Sequence, residues 1–141
     1  MLITTGGPLE MGSFLSQYRT YAEVAKATIV KSGIDERYVV AASAPNTGKD
    51  RTYVSFVAVR QYFELSGIKT NNVNLFSLGP HARISRFLFV KAFDGKMDVG
   101  IISAPDGRYD KKRWWRSSAG FRTVTGEAIA YVYARLFFKG Q

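Results

Sequence analysis

Residues 73–104, VNLFSLGPHARISRFLFVKAFDGKMDVGIISA, contain the order of elements that decides the fold. They predict a strand at Val73–Leu78, a helix at His81–Phe93 and a second strand at Asp98–Ala104. Residues 99–102 are a continuous rather than an alternating apolar run, which is typical of a strand covered on both faces. A strand, a helix and a strand in this order predict a right-handed βαβ unit with parallel strands.

The rest of the chain repeats this alternation. Strands are predicted at Leu2–Thr5 and Tyr38–Ala42, and helices at Ser13–Lys31, Asp50–Leu65 and Ser118–Phe138. We therefore expect an α/β fold of the three-layer, Rossmann-like kind, in which a mostly parallel sheet of about four strands is flanked by helices. The length of 141 residues predicts a single domain.

The composition excludes several classes of site. The chain has no cysteine and one histidine, which argues against zinc or copper because those metals prefer thiolate or imidazole ligands. Magnesium held by carboxylates stays open. No run approaches the ~20 apolar residues of a membrane span, and the N-terminus lacks the basic and then apolar pattern of a signal peptide. The sequence as it stands predicts a soluble domain.

Positive charge is the strongest bias in the composition. The 20 Lys and Arg outnumber the 11 Asp and Glu, for a formal charge of +9. Such an excess attracts phosphate on nucleic acid, anionic lipid or a small ligand, and it is equally typical of a solvated surface. Much of it falls in one stretch, at Arg108, Lys111, Lys112, Arg113, Arg116 and Arg122.

Polar turns follow the predicted strands, and each turn precedes a helix. In parallel α/β sheets the ligand site lies at the carboxyl ends of the strands, where helix N-termini offer N–H groups to anions. In the first turn, Gly6 and Gly7 allow the backbone to approach a ligand closely. Glu10 is a candidate general base, hydroxyl acceptor or magnesium ligand, or else a charge favoured at a helix start.

The second turn, residues 43–50, is similar to a phosphate loop but departs from it at both ends. Ser43 and Asp50 stand where a Walker A motif needs glycine and Ser or Thr, so we exclude hydrolysis of nucleoside triphosphates by such a loop. Asn46 and Thr47 either cap the next helix or leave its N–H groups to bind an anion together with Arg51.

The third turn contains His81, which follows Gly79-Pro80 and begins a helix that also carries Arg83 and Arg86. The positive end of a helix favours the neutral imidazole, so His81 is a candidate hydrogen-bond donor or base. The alternative is a capping or packed polar group.

Residues 111–118, Lys-Lys-Arg-Trp-Trp-Arg-Ser-Ser, alternate cations with large aromatic residues; we call them the basic aromatic segment. This pattern suits nucleic acid, an anionic membrane surface or a lid over the strand ends. Alternatively, Trp114 and Trp115 pack the last helix against the sheet.

Taken in order, these motifs resemble the YdcF-like family, which includes SanA- and ElyC-like proteins. The resemblance covers essentially the whole chain. Its motifs are Thr5-Gly6-Gly7 with Glu10, Pro45-Asn46-Thr47 with Asp50-Arg51-Thr52-Tyr53, Gly79-Pro80-His81-Ala82-Arg83, and Trp114-Trp115-Arg116-Ser117-Ser118 before Gly120-Phe121 and Glu127.

The resemblance implies a Rossmann-like domain of bacterial envelope biogenesis, often carried behind an N-terminal membrane anchor. The family usually begins with one further strand and a glycine-rich turn, so we expect this chain to be truncated at its N-terminus. Two positions depart from the family pattern: Asp50 stands where many relatives have asparagine, and Ile84 stands where arginine commonly follows the histidine.

We therefore expect a small-molecule site for a phosphate-bearing or nucleotide-like ligand, with an S-adenosylmethionine-like cofactor left open. Glu10 and His81 are the expected acid/base pair, and no metal ligand is assigned. The alternative is a non-enzymatic envelope module that binds anionic lipid or a protein through the basic aromatic segment. Nucleic acid ranks last as a partner, because no recognition motif accompanies the charge. The expected ligand-binding residues are Gly6, Gly7, Asn46, Thr47, Asp50, Arg51, Arg83 and Arg116.

Overall fold

Parallel strand pairs form the centre of each half of the chain. The computed structural model describes residues 1–10 and 13–139, and it divides into two compact units, Met1–Lys69 and Thr70–Gln141. Each unit contains a two-stranded parallel sheet and two α-helices within the described residues. The protein is therefore mixed α/β, as the alternating sequence pattern predicts.

In the first unit, β1 (Leu2–Gly6) pairs in parallel with β2 (Val39–Ser43), with Leu2 opposite Val39. The crossover between them contains α1 (Tyr21–Lys31), and α2 (Arg51–Leu65) follows β2. Both helices pack against the sheet. Parallel strands need a long crossover connection, which is usually a helix, so this order is a βαβ unit.

Two threonines of β1 tie the first sheet to its helices. The hydroxyl of buried Thr4 donates to the carbonyl oxygen of Ala22 in α1 at 2.8 Å. The hydroxyl of Thr5 donates to the carbonyl oxygen of Ser55 in α2 at 2.9 Å. Because buried polar groups are costly unless they are hydrogen-bonded, these contacts fix the positions of both helices against β1.

In the second unit, β3 (Asn72–Leu78) pairs in parallel with β4 (Asp98–Ala104). The crossover contains α3 (His81–Ala92), whose apolar face covers the sheet, and α4 (Ser118–Phe137) packs against α3. The core of this unit includes Phe89, which is 1% exposed.

β4 is covered on one face only, and the expectation that both its faces are covered is wrong. Exposure alternates along β3 and over residues 98–102 of β4, because successive side chains of a strand point to opposite faces. Val99 lies on the face toward α3 and is buried, whereas Phe76 and Ile102 remain 68% and 45% exposed. The continuous apolar run at residues 99–102 therefore does not show which face of β4 is covered.

The predicted helix from Ser13 to Lys31 is also wrong in its first part. Ser13–Leu15 is a short 3-10 turn, and α1 begins only at Tyr21. Thr20, in an extended conformation, caps α1: its side chain accepts from the N–H of Glu23, and the Glu23 carboxylate accepts from the N–H of Thr20. A backbone hydrogen bond from Leu9 to Arg19 also keeps the residues before Thr20 out of the helix.

α4 is the longest helix described, with 20 residues, and only Gly120 and Ala134 in it are buried. Large apolar side chains on its C-terminal half stay exposed. None of the helices within residues 1–10 and 13–139 has the length and hydropathy needed to cross a bilayer. The exposed side chains are Ile129, Val132, Tyr133, Leu136 and Phe137.

Candidate functional site

A cleft of about 300 Å³ lies at the carboxyl ends of β1 and β2 in the first unit. The turn after β1 forms one wall, and the turn between β2 and α2 forms the other. The structure thus brings together side chains that are far apart in the sequence, at the edge of a parallel sheet where such folds bind ligands. The predicted site residues that line it are Gly7, Glu10, Asn46, Thr47 and Arg51.

An ion pair lies across this cleft. The guanidinium of Arg51, in the first turn of α2, lies 2.5 Å from the carboxylate of Glu10. Both side chains are more than half exposed, at 56% and 62%, so the pair contributes little to stability. The Glu10 carboxylate therefore holds the arginine that the sequence assigns to an anion.

The turn between β2 and α2 is closed by its own side chains. The Thr47 hydroxyl donates to the carbonyl oxygen of Lys49 at 2.7 Å, so Thr47 does not cap α2. The residue at the cap is Asp50, which has a left-handed backbone (φ 55°, ψ 32°) and makes no capping hydrogen bond with its side chain. Asp and Asn tolerate this conformation better than most residues, so the backbone conformation explains why an Asp stands at position 50. Asn46 is exposed at the cleft.

The two glycines of the first turn have different roles. A Cβ on Gly6 would lie 2.8 Å from the Cβ of Tyr21 and 3.3 Å from the backbone nitrogen of Ala22, so Gly6 is needed for the close approach of β1 to α1. A Cβ on Gly7 would meet only the carbonyl oxygen of Pro45, at 3.8 Å. Of these two glycines, Gly7 is the one that lines the cleft.

We expect Gly6→Ala to lower the free energy of unfolding by about 1–3 kcal/mol, because the new methyl group forces α1 away from β1. Gly7→Ala is the matched control and should change it by less than about 0.5 kcal/mol. Urea unfolding of the two variants checks this. Equal stability of the two variants would contradict the close approach at Gly6.

His81 begins α3 and pairs with Glu127 of α4 in the second unit. The imidazole Nδ1 lies 2.9 Å from Oε2 of Glu127, and the two side chains are 39% and 26% exposed. A carboxylate only accepts hydrogen bonds, so Nδ1 carries the proton and, in the neutral ring, Nε2 keeps its lone pair. The pair therefore orients His81 as a base or acceptor at Nε2.

The turns after β3 and β4 meet each other in the second unit. Gly79, with φ +51°, donates its N–H to the carbonyl oxygen of Ala104 at 2.8 Å. A Cβ on Gly79 would lie 3.5 Å from the Cβ of Asp106, whose side chain is only 4% exposed. Arg108 binds the Asp106 carboxylate through two side-chain nitrogens. These hydrogen bonds lower the pKa of Asp106 from its ordinary value.

Part of the free energy of unfolding should therefore depend on the ionisation of Asp106 and change at acid pH. A carboxyl group with a lowered pKa in the folded state stabilises that state above its unfolded pKa of about 4, and the contribution is lost as the pH falls through the folded pKa. We expect Asp106→Asn to be less stable than the wild type at pH 7 and the difference to shrink at pH values below about 4. Urea unfolding at both pH values checks this, with exposed Asp98→Asn as the control. A difference that is independent of pH would contradict it.

The remaining predicted site residues lie elsewhere in the second unit. Arg83 is exposed on α3, with its guanidinium 5.5 Å from the ring centre of Tyr131. Arg116 is exposed in the 3-10 turn Trp114–Arg116, directly before α4. Trp114 packs on Phe121 of α4 with ring centres 6.2 Å apart, whereas Trp115 is 58% exposed. One tryptophan therefore packs on the last helix, and the other is open to solvent.

Sequence reasoning gave no role to Glu127 or Asp106. Glu127 lies 46 residues from His81, so no local pattern connects them. Asp106 had a local signal, because it is the carboxylate in the turn after β4. Within the described residues, no three His, Asp or Glu side chains are grouped so that they could hold a metal ion.

Comparisons with known proteins found no match: no family model fits the sequence, and no curated protein or solved structure is significantly similar to it.

Proposed function

We propose that this chain is a small-molecule-binding domain, with a Rossmann-like three-layer sheet, that takes a phosphate-bearing or nucleotide-like ligand in bacterial envelope biogenesis. The observation that carries the proposal is the cleft at the carboxyl ends of β1 and β2. Gly7, Glu10, Asn46, Thr47 and Arg51 line it, and the sequence pattern had assigned all five to one site. The YdcF-like relationship is part of the proposal.

Arg51 and Asn46 are the anion-binding groups of this proposal. Arg51 is held at the cleft by Glu10 and remains 56% exposed, so its outer donors stay available to a phosphate oxygen. Asn46 offers an exposed amide at the same cleft. A ligand phosphate would compete with the Glu10 carboxylate for the guanidinium, which leaves Glu10 to accept a proton or a ligand hydroxyl.

In the second unit, His81 is an acid/base group in its own right. Its hydrogen bond to Glu127 directs Nε2 away from the pair, toward a proton on a ligand. In this role Glu127 is a positioning residue. Glu10 is thus the proposed acid/base group of the cleft, and His81 is that of the second unit, with its tautomer set by Glu127.

A thermal-shift screen tests the function. We expect one class among nucleotides, S-adenosylmethionine and phosphorylated lipid-carrier head groups to raise the Tm, by the stabilisation that ligand binding gives. Arg51→Gln should abolish the rise, because it removes the guanidinium from the cleft. A screen in which no class raises the Tm, or a rise that Arg51→Gln keeps, would contradict the proposal.

A further inference from the structure

A second concave surface lies between α3, β4 and α4 in the second unit. This groove has a volume of about 800 Å³. It is lined by the cations Arg83, Arg86, Lys91 and Arg135, and no carboxylate lines it. The groove therefore has a positive electrostatic potential.

The charge in the groove is not neutralised by the rest of the described chain. Within residues 1–10 and 13–139, none of Arg83, Lys91 and Arg135 forms an ion pair with a carboxylate. The nearest carboxylate on α4 in sequence, Glu127, is engaged with His81. Residues 70–141 contain 12 Lys or Arg and five Asp or Glu, against eight and six in residues 1–69, so most of the +9 charge belongs to this unit.

Aromatic rings hold the cations in place without cancelling their charge. The Lys91 ammonium and the Arg135 guanidinium lie 5.8 and 5.5 Å from the ring centre of Phe87, and Arg83 lies over Tyr131. The two rings meet edge to face, with centres 6.2 Å apart. Cation–π contacts of this kind fix long side chains while leaving their N–H donors free for an anion.

Most of the other lining residues are apolar; the exceptions are Ser103 and the hydroxyl of Tyr131. Phe87, Val90, Ile101 and Phe138 line the groove together with the cations. A free phosphate ion would leave most of this space and all of this apolar surface unused, whereas an amphiphile with an anionic head group uses both. The exposed apolar side chains of the same half of α4, Ile129 to Phe137, add the pattern of a helix that lies at a membrane interface.

We infer that the α3–α4 groove binds the phosphate head group of an anionic lipid at a membrane surface. Arg83, Lys91 and Arg135 bind the phosphate oxygens, and the apolar lining residues contact the upper part of the lipid. This site is formed by other residues than the cleft of the first unit, and it does not include the basic aromatic segment.

Co-sedimentation with vesicles tests this, using phosphatidylcholine alone or mixed with phosphatidylglycerol. We expect binding to the mixed vesicles only, falling with salt. Each Lys or Arg near an anionic surface contributes ~5-fold in affinity, so Lys91→Gln with Arg135→Gln should lower the apparent affinity about 25-fold. Lys111→Gln with Arg113→Gln removes the same charge from the basic aromatic segment and should lower it no more than about 2-fold.

Three results would overturn the inference. The first is an absence of binding to the mixed vesicles at low salt. The second is a loss of affinity that is equal in the two paired variants, which would indicate diffuse electrostatic attraction. A larger loss of affinity in the variant of the basic aromatic segment would likewise place the site elsewhere. The third is full competition by inorganic phosphate at constant ionic strength, which assigns the groove to a soluble anion. Tm values that match the wild type's would show that both variants are folded.

Discussion

Phe89→Ala should lower the free energy of unfolding by about 3–5 kcal/mol, which is among the largest losses expected for a single side chain. Phe89 is 1% exposed in α3, and its ring stacks on Phe93 with centres 4.4 Å apart and planes 16° apart. Truncation removes that contact and leaves a cavity where α3 covers its sheet. Because small domains are stable by only about 5–15 kcal/mol, this change takes a large share of the total.

Chemical denaturation followed by circular dichroism measures this effect. Phe137→Ala is the matched control, because Phe137 is 63% exposed on α4 and its truncation should cost less than about 0.5 kcal/mol. A loss below about 1 kcal/mol for Phe89→Ala would contradict the assignment of Phe89 to the core of the second unit.

Gly120→Ala is expected to give the second large loss of stability, about 1–3 kcal/mol. Gly120 lies in the first turn of α4, where a Cβ would press on the carbonyl oxygen of Trp114 and lie 2.9 Å from the hydroxyl of Ser117. Ser117 caps α4 by accepting the N–H of Gly120 at 3.0 Å. The methyl group would therefore disturb both the 3-10 turn and the cap, and a backbone carbonyl cannot rotate away as a side chain can.

Gly126→Ala in the same helix is the control with the opposite sign. A Cβ there meets nothing within 4 Å, so the substitution should stabilise the protein by about 0.5–1 kcal/mol through helix propensity. Thermal unfolding of both variants checks the pair. If the two glycine substitutions shift the Tm in the same direction, the close packing at Gly120 is refuted.

Much of the secondary structure was predictable, because short β-branched runs bounded by Gly and Pro leave little choice. Residues 98–104 form a strand with the predicted bounds, and α3 and α4 each end one residue earlier than predicted. The error at Ser13–Lys31 arose because apolar spacing continues through residues that tertiary contacts keep out of the helix. A local signal was present, since Thr20 and Glu23 have the spacing of a capping box.

The sequence predicted the position of the candidate site, because that position follows from where the parallel strands end. The two turns of the first unit face one cleft because parallel strands end at the same edge of a sheet. The roles within the turns depend on contacts that spacing does not encode: Gly6 serves the packing of α1, and Thr47 closes its own turn. The pairing of His81 with Glu127 needs the packing of α3 on α4, which no sequence period reveals.

Nuclear magnetic resonance titration of ¹⁵N-labelled protein with the ligand that raises the Tm most tests the central claim directly. The claim is that the β1–β2 cleft binds the ligand. The account predicts that the amide signals of Gly7, Asn46 and Arg51 shift together, with one dissociation constant. A titration that leaves these signals unchanged, or shifts confined to the α3–α4 groove, would contradict it.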